Sequence, residues 1–493
     1  MSDSILGRAR PLLAARLAGA ALTFGVPLVL ARVLVPASYG TFKQGWLLST
    51  TLQLILPMGL TQSLYYFVPR DPAGRGRYIA QTLWITAILG ALSALLLFAA
   101  APLVAAHFAN PELTRNLPWV AAFTAFALAG APLDVAWNAS GRVGAAALAR
   151  VLTEVARGGC MVVGALVTRR VDGVFAGIAV ATALRAAATW WVLARAHGAR
   201  FDGAVLRRQA AYALPFGLAF LFIVPQQQYH QYAVASAVTA AAFAIYSVGT
   251  FQLPVVDMLY TPISELLQIG LAEAEGAGRP PRAGLALFHE AVLQLSFAFV
   301  PLAGLLLVAG PDLVVLLFSA RYAEAAPIFR LAVVSVALAA LPLDGVMRAR
   351  AQNRFMLILS AGKLGATLAA VTAGLRWLGP IGALLGWVSV EALARLAMLV
   401  RTARLFEVPL RSVLPARALL RQAAATAAGM PVAWLALRVV PGPALARLAA
   451  CGLAFAAAYL GLTWARGWLP PGWAGIFRAQ PPRAAAPSGA PEG

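Results

Sequence analysis

This chain of 493 residues is poor in acidic side chains and in cysteines. Asp and Glu total 18 against 39 Lys and Arg, and only 12% of all residues are charged. The two cysteines, Cys160 and Cys451, both lie inside apolar runs. There a thiol behaves as a small hydrophobe, so a disulfide framework is excluded and redox chemistry has no basis. Four histidines, His107, His197, His230 and His289, are scattered without metal-ligand spacing. No GxxxxGK[ST] loop occurs, which argues against direct ATP hydrolysis. No sizeable polar segment between apolar runs offers the catalytic acids of a membrane glycosyltransferase or ligase, so an enzyme is not expected, and no cofactor is implied. A net charge of +21 would suggest nucleic acid in a water-soluble protein. Here the basic residues sit between apolar runs and not on a continuous polar face, so no nucleic-acid partner is expected.

What the chain has in abundance is apolar sequence, with 61% hydrophobic residues and a mean hydropathy of +0.78. Lipid is the implied solvent, since a spanning helix needs roughly 20 mostly apolar residues. Read with a window of about 19 residues, the chain divides into about 14 spans. Six lie near 11–34, 42–67, 78–105, 118–138, 145–168 and 173–194. Six more lie near 211–235, 240–269, 284–309, 325–347, 354–375 and 380–400, and two near 416–440 and 444–467. The expected fold class is an all-α polytopic membrane protein. Its organisation reads as an N-terminal six-helix lobe (1–194), a polar cytoplasmic hinge (195–208) and a second six-helix lobe (209–405). Two additional helices (406–469) and a disordered, Pro- and Ala-rich tail (470–493) follow. Arg8 and Arg10 lead into the first apolar run without a small-residue cleavage site, so the first helix is expected to stay attached.

Basic residues orient the spans. With the N-terminus inside, one face holds Arg8, Arg10, Arg75, Arg200, Arg279, Arg348 and Arg404 among many others. The opposite face is poorer, with Arg32, Lys43, Arg115, Arg169, Arg170, Arg321, Arg376 and Arg438. Both termini are therefore expected in the cytoplasm. A repeat also emerges, because Ala131-Pro132-Leu133-Asp134 recurs as Leu341-Pro342-Leu343-Asp344, 210 residues later. At the same offset Arg185 meets Arg395. Each repeat holds six spans, an even number, so the two lobes enter the membrane in the same sense, related by a pseudo-twofold along its normal. A cavity between two such lobes has the geometry of alternating access.

Several stretches resemble the polysaccharide-type flippases of the multidrug/oligosaccharidyl-lipid/polysaccharide (MOP) exporter superfamily. Leu30-Ala31-Arg32-Val33-Leu34-Val35-Pro36-Ala37-Ser38-Tyr39-Gly40-Thr41-Phe42 looks like the family's passage from its first to its second helix. Met58-Gly59-Leu60 leading to Phe67-Val68-Pro69-Arg70 is similar to the end of the second, and Ala244-Ile245-Tyr246-Ser247 resembles the start of the eighth. Leu317-Phe318-Ser319-Ala320-Arg321-Tyr322, running on to Pro327, looks like the loop between helices nine and ten. Where many relatives carry an acidic-basic pair near the outer end of helix seven, this chain has His230-Gln231. The resemblance implies a bacterial inner-membrane flippase exporting an oligosaccharide linked to polyprenyl diphosphate from the cytoplasmic to the periplasmic leaflet. Its implied partners are the lipid-linked oligosaccharide, membrane lipids, a polysaccharide polymerase and glycosyltransferases. A cation-coupled multidrug exporter of the same superfamily is the alternative within transport, and a membrane glycosyltransferase or ligase using lipid-linked sugar donors is the alternative from another class.

Charge inside a span costs about 2.5 to 3.5 kcal/mol on insertion scales, so deep polar residues are the candidates for a site. The chain has two lysines, Lys43 at the start of the second span and Lys363 within the eleventh. Either a diphosphate or snorkelling to the interface accounts for Lys363. Arg16 lies near the inner end of the first span and reads as a phosphate ligand or as a topology anchor. Gln226, Gln227, Gln228, His230 and Gln231 form the densest polar run, after Pro225. They either address sugar hydroxyls from a wet cavity or bond between helices. Asp257, mid-span, is the acidic candidate for ion coupling. Asp134 and Asp344 are expected to cap, or to pair with Arg142 and Arg348, and Glu391 with Arg395, four residues on.

Overall fold

The structure is a computed structural model that describes residues 24–470 and Trp473. Arg16, the first half of the first expected span and nearly all of the expected tail lie outside the described residues. Among the described residues every regular element is helical. The chain opens with α1 (Phe24–Val33), α2 (Pro36–Ile55), α3 (Leu64–Arg70), α4 (Arg75–Ala99) and α5 (Ala101–Phe108). Then come α6 (Pro111–Gly130), α7 (Pro132–Ala139), α8 (Val143–Thr168), α9 (Val171–His197), α10 (Gly203–Gly217) and α11 (Phe220–Ala237). The remainder is α12 (Ala240–Gly249), α13 (Pro254–Gly276), α14 (Ala283–Phe318), α15 (Ala326–Leu338), α16 (Leu343–Ala349), α17 (Asn353–Leu405), α18 (Ala416–Val439) and α19 (Ala444–Ala465). Eight of the described helical stretches are long and apolar enough to cross a membrane, or ten if each of two bent pairs, α10 with α11 and α12 with α13, is one span. This is a polytopic helical membrane protein. Helix is what lipid demands, since a spanning backbone must satisfy its own N–H and C=O groups.

The breaks follow local chemistry. Asn110 caps α6 by accepting from the N–H groups of Glu112 and Leu113, with Pro111 in the first turn. Thr239 caps α12 by accepting from Ala242 N–H. The expected span 42–67 is two helices, because Met58 (φ 43°) and Gly59 (φ 74°) turn left-handed between α2 and α3. Within α17 the break is Gly379 (φ 65°) followed by Pro380, which divides it into two arms. Between α9 and α10 only residues 198–202 are non-helical, and Asp202 accepts from Ala204 and Val205 N–H to start α10.

The chain forms two compact units. The first comprises the described residues up to Pro254 with Leu313–Ala332 and Leu357–Glu391. Within it two hairpins close by glycine contact. Side chains on Gly164 and Gly173 would strike each other's backbone, and one on Gly177 would strike Cys160 O, so α8 and α9 touch main chain to main chain. The arms of α17 do the same through Gly374, Gly382 and Gly386. Gly374 lies 210 residues after Gly164, and Gly382 and Gly386 lie 209 after Gly173 and Gly177, so the offset of the Pro-Leu-Asp repeat reappears in helix packing. The second unit comprises Val255–Asp312, Val333–Met356 and the described residues from Ala392. Its core includes Phe297, Ala425, Cys451, Phe455 and Tyr459.

Asp134 does not pair with the expected Arg142. It lies on α7 against α9, and Arg185 reaches its carboxylate at 2.5 Å, whereas Arg142 is the residue just before α8. Asp344 does pair with Arg348, and it also accepts from the Tyr260 hydroxyl. The Asp134–Arg185 pair is mostly buried, with side chains 26% and 13% exposed. Arg185→Leu is therefore expected to cost about 3 kcal/mol by orphaning a carboxylate in an apolar surrounding. Combining it with Asp134→Leu should recover most of that loss, and a denaturant titration of the purified variants compares the two directly.

Candidate substrate site

Three helices of the first unit, α1, α2 and α8, frame a cavity of about 150 Å³. Lys43 and Trp46 reach it from one face of α2, three residues apart, and Phe42 stands beside them. On α8 Glu154 and Arg157 are also three apart, with Gly158 behind them, where a Cβ would strike Val26. Arg157 is ion-paired with Glu154, and its guanidinium lies 5.4 Å from the Trp46 ring centroid. Lys43 Nζ stands 5.6 Å from the centroid of Tyr39. The cavity thus carries two cations against one carboxylate, set among aromatic and aliphatic walls. An apolar pocket with a net positive charge and several orientable donors is suited to a large anion with an organic body. Arg157 was not singled out in the sequence. The available signal was Arg150, Glu154 and Arg157 recurring at i, i+4 and i+7 inside an apolar span, which places them on one face.

At one end of the same unit, two of the segments that carry the family resemblance, the one from Leu30 and the one from Leu317, lie against each other. Arg32 donates to Leu316 O, and Arg321 Nη1 donates to Leu34 O at 3.4 Å. Tyr39 and Tyr322 meet edge to face at 5.8 Å between centroids. Just below, Gly40 packs so closely on Ala240 that a Cβ would fall inside the carbonyl oxygen. Gln44 Nε2 donates to Ala235 O at 3.3 Å, and Asn110 Nδ2 donates to both Thr41 Oγ1 and Gln44 Oε1. The Glu112 carboxylate accepts from Ser38 and Thr41. α2 is thereby sealed to α11 and α12.

The polar run on α11 is largely engaged with neighbouring helices. Gln226 is buried and donates to Ser360 O at 2.9 Å, while its own carbonyl accepts from Trp387 Nε1 at 3.0 Å. Gln228 accepts from Thr51, and the Tyr232 hydroxyl donates to the same threonine at 2.8 Å. His230 is buried, 2.7 Å from the Tyr246 hydroxyl through Nδ1, and packs on Trp387. Gln227 is exposed and Gln231 half-buried. Lys363 and Glu391 face each other across the two arms of α17 at 2.5 Å. Asp257, in the second unit, is exposed and occupies the first turn of α13, next to the break after α12, and not the middle of a continuous helix. A carboxylate there faces unpaired N–H groups and the positive end of the helix dipole. Among the described residues no cluster of His, Cys, Asp or Glu is arranged to hold a metal ion.

The architecture matches that of known transporters. The lipid II flippase MurJ in an inward closed conformation superposes with a TM-score of 0.72 at 10% identity, covering 95% of this chain and 99% of that chain. An inward-facing multidrug resistance MATE family transporter of the MOP superfamily gives 0.56 at 18% identity, covering 80% and 96%. The Vibrio cholerae MATE transporter VcmN in the bent form gives 0.51 at 15% identity, covering 82% and 98%. At these identities the likeness is one of fold, and the fold is that of MOP-superfamily flippases and multidrug transporters. Residues 29–327, more than half of the chain, match the model of the polysaccharide biosynthesis protein family, and the protein belongs to that family. No curated protein gives a match.

Proposed function

We propose that the protein is a flippase that moves an oligosaccharide linked to polyprenyl diphosphate from the cytoplasmic to the periplasmic leaflet of a bacterial inner membrane by alternating access. The observation that carries this reading is the pairing of Lys43 with Arg157 in an apolar-walled cavity, within a chain of the polysaccharide biosynthesis family. A diphosphate entering lipid-like surroundings needs cations already in place, and these two are positioned by Trp46, Tyr39 and Glu154. Gln227 and Gln231 are offered as hydroxyl ligands, since Gln226, Gln228 and His230 are held by neighbouring helices. Arg16 and Lys363 remain proposed phosphate ligands. In this reading both termini are cytoplasmic, and glycosyltransferases and a polysaccharide polymerase act before and after transport.

In a deletion strain, lipid-linked oligosaccharide facing the cytoplasm should accumulate, as read by its protection from a lectin or glycosidase added to right-side-out vesicles. Normal surface polysaccharide with no such accumulation would refute the proposal. Asp257 at the start of a broken helix supports a second reading, a cation-coupled drug exporter. Fluorescent drug efflux lost in Asp257→Asn would favour it.

A further inference from the structure

The C-terminal hairpin of α18 and α19 is supplied with cations and with no acids of its own. Between Glu407 and Glu492 the chain has no Asp or Glu, yet it has Arg411, Arg417, Arg421, Arg438, Arg447 and Arg466 among its basic residues. Arg447 has an acidic neighbour on another helix, Asp312 at 3.9 Å. At the opposite end of the hairpin, Arg421 from α18 and Arg466 from the end of α19 converge on one ring. Each guanidinium carbon lies 5.8 Å from the centroid of Trp468. Both arginines are exposed, whereas Trp468 packs with Leu469 and Trp473 against the core around Phe297 and Tyr459. The ring is therefore packed in place, and two like charges lie beside it. Its negative face offsets part of their repulsion, and an external anion would offset the rest.

Beside this pair, Leu460, Gly461, Trp464 and Leu469 line an apolar groove of about 250 Å³. A side chain at Gly461 would meet nothing within 4 Å, so the glycine leaves the groove open. Two exposed guanidiniums at the head of an apolar groove, at the end of α19, a helix long and apolar enough to cross a membrane, match one chemistry in particular: a phosphate joined to a hydrocarbon chain. We propose that Arg421, Arg466 and Trp468, with the groove along Leu460–Leu469, form a binding site for an anionic diacyl phospholipid. Its phosphodiester lies between the guanidiniums and one acyl chain occupies the groove. A zwitterionic lipid would bring its own cation next to the two arginines, so the site discriminates by headgroup charge. The proposal is independent of what the protein transports.

The test uses the full chain in detergent, with thermal unfolding followed as lipid is added. Phosphatidylglycerol is expected to raise the melting temperature at mole fractions where phosphatidylethanolamine does not. With roughly 1 kcal/mol for each basic residue near an anionic headgroup, R421Q with R466Q should weaken the phosphatidylglycerol response about 30-fold, while the lipid-free melting temperature stays unchanged. Equal responses to the two lipids, or an undiminished response in the double variant, would overturn the site. So would inorganic phosphate acting as strongly as phosphatidylglycerol, which would leave the groove without a role. Undecaprenyl diphosphate displacing phosphatidylglycerol at far lower concentration would reassign the arginines to a prenyl diphosphate lipid and also overturn it. Should the double variant fail to fold, a photoactivatable phosphatidylglycerol on the unaltered protein must label residues between Leu460 and Leu469, and labelling confined to other helices contradicts the proposal.

Discussion

Replacing Lys43 and Arg157 by glutamine, with Glu154→Gln in the same chain, is expected to reduce translocation at least about 100-fold without unfolding the protein. The third change matters because Arg157 is the ion partner of Glu154, and removing the guanidinium alone would leave a carboxylate stranded in the cavity. Neutralising all three keeps hydrogen-bonding side chains of similar size around a cavity of about 150 Å³. What is lost is the charge available to a diphosphate. A hydrogen bond to a charged group contributes about 1.5 to 3 kcal/mol, so two of them account for a factor of 100 or more. Proteoliposomes carrying a fluorescent lipid-linked oligosaccharide, with dithionite reporting the exposed leaflet, measure the rate. Lys43→Arg should keep most of the activity. If the triple variant transports within twofold of the unaltered protein, the cavity is not the headgroup site.

Gly40→Ala is expected to be the most damaging single methyl that can be added to the first unit. The new Cβ would enter the space of Ala240 O, and both groups belong to helical backbone, so no side chain can rotate out of the way. Relief requires α2 and the start of α12 to separate, and overpacking of this kind costs about 1 to 3 kcal/mol or more. The same separation would pull on the hydrogen bonds of Arg32 to Leu316 O and of Arg321 to Leu34 O. Two readouts should move together: the melting temperature should fall, and a cysteine introduced at Ser38 should label faster with a maleimide. Gly144→Ala is the control, since nothing lies within 4 Å of a Cβ there. An unchanged melting temperature together with unchanged labelling in Gly40→Ala would show that the two helices do not approach as closely as described.

Much of the architecture was legible because lipid imposes a simple rule: apolar runs of sufficient length become helices, and prolines, glycines and capping residues mark their ends. The division of the expected span 42–67 at Met58-Gly59 is not visible to hydropathy, which registers how apolar a window is and not a left-handed turn within it. The repeat was visible in Pro-Leu-Asp, but its stronger trace was the glycine sets of α8–α9 and α17, whose meaning depends on which helices touch. Side-chain partners were harder. Arg185 is far from Asp134 in sequence, so proximity along the chain pointed to Arg142 instead. For the amides of α11, spacing alone does not distinguish a wall from a fastening. Three-dimensional packing shows Gln226 and His230 fastened to Ser360 and Tyr246, and leaves Gln227 exposed.

The glycine-locked hairpins have a mechanical corollary. Helices whose main chains touch at several points have no room to slide or twist past one another, so each pair behaves as a stiff paddle. Flexure is then left to segments with interrupted hydrogen bonding, such as the proline-bearing passages through Pro215, Pro225 and Pro254. A substrate that reshapes the molecule would do so by bending at those few places while the paddles swing intact.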